Sequence, residues 1–224
     1  MSTVSLSHAA DLSFHVPATG MTLEQFRAWA ESDDYPERGK VVYFRGELYS
    51  DISPERIDSH AAIKEALNRT IGNLVHDGDL GRYYPDGAGI QNKAAEVSNE
   101  PDAVFAKWET IQSGRLIAPP EKQGLHTALV STPDWVCEIV SDSSVEKDTR
   151  VLREAYHAAG VAEYWLIDAR EEEIDFQLLV REASGYVAVP AQDGWRKSPV
   201  FNLEFALTRR RDRVGWWLYD LSVR

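Results

Sequence analysis

Residues 132–168 read TPDWVCEIVSDSSVEKDTRVLREAYHAAGVAEYWLID, and the fold is decided in this block. WVCEIV, 135–140, is apolar on both faces, as the buried central strand of a sheet must be. Strand alternation sends Val136, Glu138 and Val140 one way and Trp135, Cys137 and Ile139 the other. The polar stretch that follows turns into a helix over 148–159. Leu152, Ala155, Tyr156 and Ala159 form its apolar face, and Gly160 suits the left-handed residue that ends a helix. EYWLID, 163–168, is a second apolar strand. Strand, helix and strand in that order predict a right-handed crossover between parallel strands.

Glu138 breaks the apolar run. A carboxylate in a buried strand is costly unless it is paired, protonated or bound to a cation. Upstream, EPDAVF, 100–105, supplies a possible companion. Proline cannot donate to a ladder and marks a strand start, so Asp102 stands at the strand's end, where a charge is presented rather than hidden. If the two strands are neighbours, Asp102 and Glu138 converge. Two bare carboxylates side by side repel, and one takes up a proton. A divalent cation removes that conflict. Mg²⁺ favours few protein carboxylates together with water and phosphate oxygens, and such a site activates water and stabilises charge on a phosphodiester. The same two residues also admit a plain structural reading, with Asp102 capping a turn and Glu138 paired with a buried basic group.

The flanking segments add a helix, hairpins and a long excursion. Thr22-Leu-Glu-Gln25 has the form of a capping box, and Leu23, Phe26, Trp29 and Ala30 share a helical face, which predicts a helix over 22–32. VVYFRGELYSDIS, 41–53, carries two β-rich runs about Arg45-Gly46 and predicts a hairpin. Ile63, Leu67, Ile71, Leu74 and Val75 mark a long amphipathic helix over 60–76, with Asp58 or Ser59 as its cap and Asp77-Gly78 as its stop. RYYPDGAGIQ, 82–91, reads as short strands about a turn. Residues 109–133 read as a loop or excursion. IDFQLLV and GYVAV form a hairpin about Ser184-Gly185, and VFNLEFAL and GWWLYDL supply two further β segments. The predicted fold is α/β, a mixed sheet flanked by helices with additional hairpins. It is read as one domain over 21–224 behind a mobile N-terminal segment over 1–20.

Composition narrows the function classes. The 224 residues include 24 Lys and Arg against 36 Asp and Glu, for a net charge of −12. Non-specific nucleic-acid affinity comes from basic residues displacing counterions. Contact with DNA therefore requires a local basic face, or metal ions masking the acidic groups. The obvious basic cluster is TRRRDR, with Arg209, Arg210, Arg211 and Arg213, which by itself reads as a solvated strand edge or turn. The single cysteine, Cys137, excludes an internal disulfide and a Cys-based zinc site. No run is long and apolar enough for a membrane span, and no secretory signal is visible at the start. A cytoplasmic location is expected.

The long block, together with ISPERIDSH (52–60) and EPDAVF, resembles the Uma2 family of the PD-(D/E)XK nuclease superfamily. The resemblance runs from about Met21 to the C-terminus. It implies a restriction-endonuclease-like fold and a Mg²⁺-dependent site acting on DNA, with Mn²⁺ as a possible substitute. Asp102 matches the aspartate of PD, and Glu138 matches the acidic residue of the second motif; together they are the implied metal ligands. His60 matches a histidine that follows a proline-containing loop, and Glu47 matches a recurrent acidic position in the first strands. Two lysine positions depart from the pattern. Two residues after Glu138 stands Val140, and four after Asp148 stands Leu152. A lysine there orients the attacking water and stabilises transition-state charge, which valine and leucine cannot do. Lys147 is the first choice of substitute, with Arg150 and Arg153 nearby.

The expected function is Mg²⁺-dependent endonucleolytic hydrolysis of DNA by Asp102, Glu138, Lys147, His60 and Glu47. The rival is a catalytically inactive module of the same fold that binds protein or nucleic acid. A homodimer is expected from the resemblance and from aromatic strands near 163–167 and 214–219.

Overall fold

The computed structural model describes residues 20–36, 39–51, 54–119 and 128–224, together with the backbone of two short strands at the start of the chain. Those two, β1 (Thr3–Leu6) and β2 (Phe14–Pro17), pair antiparallel. The rest of residues 1–19, on which the expectation of a mobile segment over 1–20 largely falls, lies outside the described residues.

Helix α1 (Leu23–Ala30) begins at Thr22, whose side chain and that of Gln25 make both halves of the capping box. Strands β3 (Lys40–Phe44) and β4 (Glu47–Asp51) form the predicted hairpin. Its turn residues Arg45 and Gly46 both have positive φ, 49° and 85°, the geometry that matches strand twist in a two-residue loop. A π-helical turn (Ile57–Ala61) then leads into α2 (Ala62–Asp77), which Gly78 ends. The expected caps are not used. Residues 57–61 already belong to the wound backbone, so neither Asp58 nor Ser59 stands at the N-cap, and no side chain caps either segment.

Four strands follow: β5 (Gly81–Tyr84), β6 (Gly89–Asn92), β7 (Val97–Asn99) and β8 (Ala103–Lys107). The expected excursion over 109–133 is more ordered than its polarity suggests. It contains most of α3 (Trp108–Gln112), then β9 (Leu116–Ile117) and β10 (Ala128–Ser131); residues 120–127 lie outside the described residues. β9 and β10 are ordered by pairing with each other, and β10 also pairs with β6.

The predicted crossover is present. β11 (Trp135–Ile139) is followed by a π-helical turn (Lys147–Val151), α4 (Leu152–Ala159), and β12 (Glu163–Asp168), which runs parallel to β11. Gly160 takes the left-handed conformation at φ 82°. The chain closes with the hairpin β13 (Asp175–Glu182) and β14 (Gly185–Ala188) and the strands β15 (Arg196–Ser198), β16 (Leu203–Arg211) and β17 (Trp217–Val223).

One six-stranded mixed sheet has the order β14-β13-β12-β11-β8-β5, and a second has the order β4-β3-β7-β6-β10-β9. β11 is buried on both faces. Val136 and Val140 pack with α4 and the second sheet around Val104, Val42 and Val97. Trp135, Cys137 and Ile139 pack with α2 around Ile63 and Leu67 and with Phe201, Phe205 and Tyr219 of the C-terminal region. This opposition of faces is what the alternation in WVCEIV predicts. Tyr164 and Trp165 are fully buried, so the strand over 163–167 offers no association face. Near 214–219 only Val214 and Trp216 are among the exposed large apolar residues. Among the described residues, no helix is long and apolar enough to cross a membrane.

Candidate active site

The sheet register brings the two carboxylates together. β8 and β11 are antiparallel with Ala103 opposite Cys137, and continuing that register by one residue sets Asp102 across from Glu138. Directly opposed residues project to the same face. The backbone N–H of Ile139 donates to Asp102 Oδ2 at 2.8 Å, which fixes the aspartate at the end of its strand. Both residues line one cleft of about 430 Å³, room for several water-sized groups at about 30 Å³ each.

Asp102 is surrounded by cations. Lys40, which opens β3, places Nζ 3.2 Å from Oδ1. Lys64 of α2 places Nζ 3.3 Å from the same oxygen. His60 Nε2 lies 3.3 Å from Oδ2 while Nδ1 meets Glu55 at 2.6 Å. Burial alone would raise the Asp102 pKa, but the His60 hydrogen bond and the charges of Lys40, His60 and Lys64 outweigh it and hold the group well below the usual carboxylate range. His60 shows the converse balance. Burial disfavours its charge, yet contact with Asp102 and the nearby Glu55 raise its pKa. Its two ring nitrogens are clamped between Glu55 and Asp102.

Glu138 lies in a different field. Its Oε1 accepts from Asn99 Nδ2 at 2.8 Å and from the Tyr156 hydroxyl. Lys147 Nζ stands 3.9 Å from Oε2 and is hydrogen-bonded to Asp148. Burial pushes the Glu138 pKa up to about 8; Lys147 opposes this, and the negative charges of Asp148 and Asp102 reinforce it. The side chain is starved of positive charge at a place where Asp102 has an excess.

Four of the five predicted site residues, Asp102, Glu138, Lys147 and His60, line the cleft. Glu47 does not. It stands at the turn end of the β3–β4 hairpin opposite Phe44, exposed, accepting from the Tyr49 hydroxyl. The cleft lies at the other end of that hairpin, where Asp51 pairs with Lys40 and lines it, four residues and about 13 Å along the strand. Lys147 is 7% exposed, not a solvated residue ahead of a helix. Val140 and Leu152, where the superfamily pattern has lysine, are buried in the core.

Sequence reasoning missed Lys40, Lys64, Asn99 and the polar role of Tyr156. Lys64 had a visible signal, because it lies four residues after His60 on one helical face. Lys40 comes from the second sheet and had none. Lining the cleft are the acids Asp51, Glu55, Asp86, Glu100, Asp102 and Glu138 against Lys40, Lys64, Lys147 and His60, so acids outnumber bases. Among the described residues no group of three or more His, Cys, Asp or Glu side chains is close enough to enclose a metal ion.

The chain is a member of the Uma2 family, described as "putative restriction endonuclease", which matches residues 23–210. Among solved structures, it resembles one described as a putative nuclease belonging to DUF820 from Anabaena variabilis. The two share 20% identity with a TM-score of 0.58, over 81% of this chain and 91% of that one, and at that identity the likeness is one of fold. No curated protein matches the chain.

Proposed function

We propose that the protein is a divalent-metal-dependent endonuclease that hydrolyses phosphodiester bonds of DNA in the Asp102–Glu138 cleft. The observation that carries this reading is the convergence of those two carboxylates from adjacent strands. The donor chemistry fits Mg²⁺, which takes hard oxygen ligands and keeps waters and phosphate oxygens in its remaining positions. The surplus of acids in the cleft, and a Glu138 carboxyl pushed up to about 8, both call for added positive charge. Asp102 and Glu138 would hold the ion.

When bound, the metal supplies a polarised water and neutralises charge on the phosphate. The remaining roles fall to side chains of the chain. Lys40 and Lys64 present ammonium groups at the Asp102 end of the cleft, where a phosphate oxygen would gain charge. Lys147 neutralises Glu138 and Asp148 from the interior side. His60, clamped between Glu55 and Asp102, fixes the carboxylate that holds the ion. Hydrolysis breaks one P–O bond of the backbone and adds one water across it.

The test is cleavage of duplex and single-stranded DNA with Mg²⁺ or Mn²⁺ by the wild type, Asp102→Ala and Glu138→Ala. Both variants should be inactive yet folded, since Lys40 and Lys64 keep Asp86, Glu100 and Glu55 as partners. Millimolar metal should raise the melting temperature of the wild type, because a ligand of the native state alone stabilises it. Unchanged cleavage by either variant removes this mechanism. No thermal shift together with no cleavage favours the non-enzymatic module.

A further inference from the structure

A second depression lies beside the cleft. Arg209 and Arg211 of β16, Trp217 of β17, Arg170, Glu171 and Glu172 after β12, and Arg56 and Asp58 at the start of the π-helical turn line one groove. Four guanidiniums from three separate parts of the chain thus meet on a molecule whose net charge is −12; Arg170 is paired with Asp168 and Arg56 with Asp58 and Asp142, which leaves Arg209 and Arg211 as the pair without a carboxylate among the described residues. TRRRDR alone reads as a solvated edge; the fold joins two of its arginines to Arg56 and Arg170.

The groove and the cleft share a wall. Pro54, Glu55 and His60 face the cleft, while Arg56, Asp58 and Ser59 of the same segment face the groove. Arg56 also reaches across to Asp142 at 3.7 Å, next to Ser141 on the cleft lining. Both openings lie at the C-terminal ends of the parallel strands β11 and β12.

The arginines are held for presentation. The Arg209 and Arg211 guanidinium carbons lie 4.1 and 3.5 Å from the centroid of the Trp217 ring, a cation–π arrangement that fixes the planes and leaves their edges to donate. Arg209 also donates to the backbone carbonyls of Glu171 and Glu172, and Arg211 to that of Gly215 at 3.0 Å. Among the described residues neither forms an ion pair with a carboxylate. Planar, fixed guanidiniums without a carboxylate partner suit phosphate oxygens.

We infer that this arginine groove binds the phosphate backbone of a DNA strand continuous with the one held in the cleft, without reading its bases. The inference rests on the proposed endonuclease reading and says where an acidic protein grips an acidic polymer. Each phosphate neutralised releases counterions, so affinity should fall steeply with salt, and each lost contact should make that slope shallower by about 0.9 on duplex and about 0.7 on single strands.

The test measures binding of a labelled 20-mer, duplex and single-stranded, by fluorescence anisotropy from low to moderate salt, without metal so that no cleavage occurs. Cleavage with Mg²⁺ is measured in parallel. Arg209→Ala/Arg211→Ala should weaken binding at least tenfold and lower the salt slope by about 1.8 on duplex and about 1.4 on single strands. Since these side chains pack on Trp217, two further variants guard against a folding defect. Arg209→Lys/Arg211→Lys retains the charge and should retain most of the affinity. Arg56→Ala, on the opposite wall, should remove about one contact's worth of slope. If the wild type binds and cleaves while all three variants bind as it does, the groove is overturned and the cleft mechanism stands. If the wild type binds without cleaving and the alanine variants lose binding, the groove stands and the endonuclease reading falls. If the wild type neither binds nor cleaves, both fall.

Discussion

Lys64 Nζ lies 3.3 Å from Asp102 Oδ1, and His60, one helical turn earlier, reaches the other oxygen of the same carboxylate. One face of one helix therefore supplies two of the three cations that hold Asp102 ionised. The arrangement follows from chain order: α2 packs its Ile63–Leu67–Ile71 stripe beneath the β8–β11 pair, and its first turns project past the strand ends.

Under the proposed endonuclease reading, Lys64 is the residue best placed to supply the charge stabilisation that a lysine at Val140 or Leu152 would give. Its ammonium meets Asp102, Asp86 and Glu55 at the open cleft, whereas Lys147 is turned inward to Glu138 and Asp148. Loss of one preorganised donor to developing charge costs about 10²–10³ in rate. Lys64→Met should therefore slow single-turnover DNA cleavage at saturating Mg²⁺ by roughly 100-fold. A rate within twofold of wild type would remove Lys64 from the chemistry.

Tyr156 positions Glu138 from the core side. Its hydroxyl donates to Oε1, and the Asn99 amide bonds both partners. Tyr156→Phe keeps the ring against Tyr164 but leaves Glu138 and Asn99 each short of one partner. Breaking a buried hydrogen bond in this way costs about 1–3 kcal/mol, measurable by urea denaturation. If the hydroxyl aims the carboxylate at the metal, the Mg²⁺ concentration giving half-maximal cleavage should rise several-fold while the rate at saturating Mg²⁺ changes much less. A lower stability with an unmoved Mg²⁺ midpoint would make Tyr156 a packing residue only.

The parts of this site that were legible in the sequence are those written in strand alternation. WVCEIV assigned Glu138 and Cys137 to opposite faces, and EPDAVF put Asp102 at a strand end; antiparallel pairing did the rest. What was not legible depends on which strands share a sheet. β5 and β6 are neighbours in sequence with a turn between them, yet one joins β8 and the other joins β7 and β10. Nothing local in RYYPDGAGIQ encodes that parting. Lys40 reaches Asp102 only because β3 is carried in by the second sheet, so its role could not be read from its neighbours. The resemblance to Uma2 pointed to Glu47, which stands at the turn end of the β3–β4 hairpin, whereas Asp51 at the other end lines the cleft. The end of the hairpin that faces the cleft is fixed by β3 pairing with β7, a contact spanning some fifty residues.

Glu163 gives a pH test independent of the catalytic cleft. It is fully buried at the start of β12, accepting from the Ser198 hydroxyl, the Val200 backbone N–H and the Trp165 indole. Burial raises its pKa from an ordinary value of 4.5 to about 7, more than those three donors lower it. The folded carboxyl therefore keeps its proton where the unfolded one has lost it. Between about 4.5 and about 7 the folded state carries more protons, and stability must fall as pH rises through that window. The contribution is complete below it and gone above it, and the gap between the two values corresponds to on the order of 3 kcal/mol. Glu163→Gln cannot titrate, so its unfolding free energy, followed by urea denaturation from pH 4 to pH 8, should decline less than that of the wild type by about that amount. Taking the difference between the two proteins cancels the parallel contribution of Glu138, whose raised pKa acts in an overlapping window. Identical slopes in the two proteins would mean that Glu163 is already ionised in the folded state, held by Ser198 and Val200 as an anion rather than as an acid.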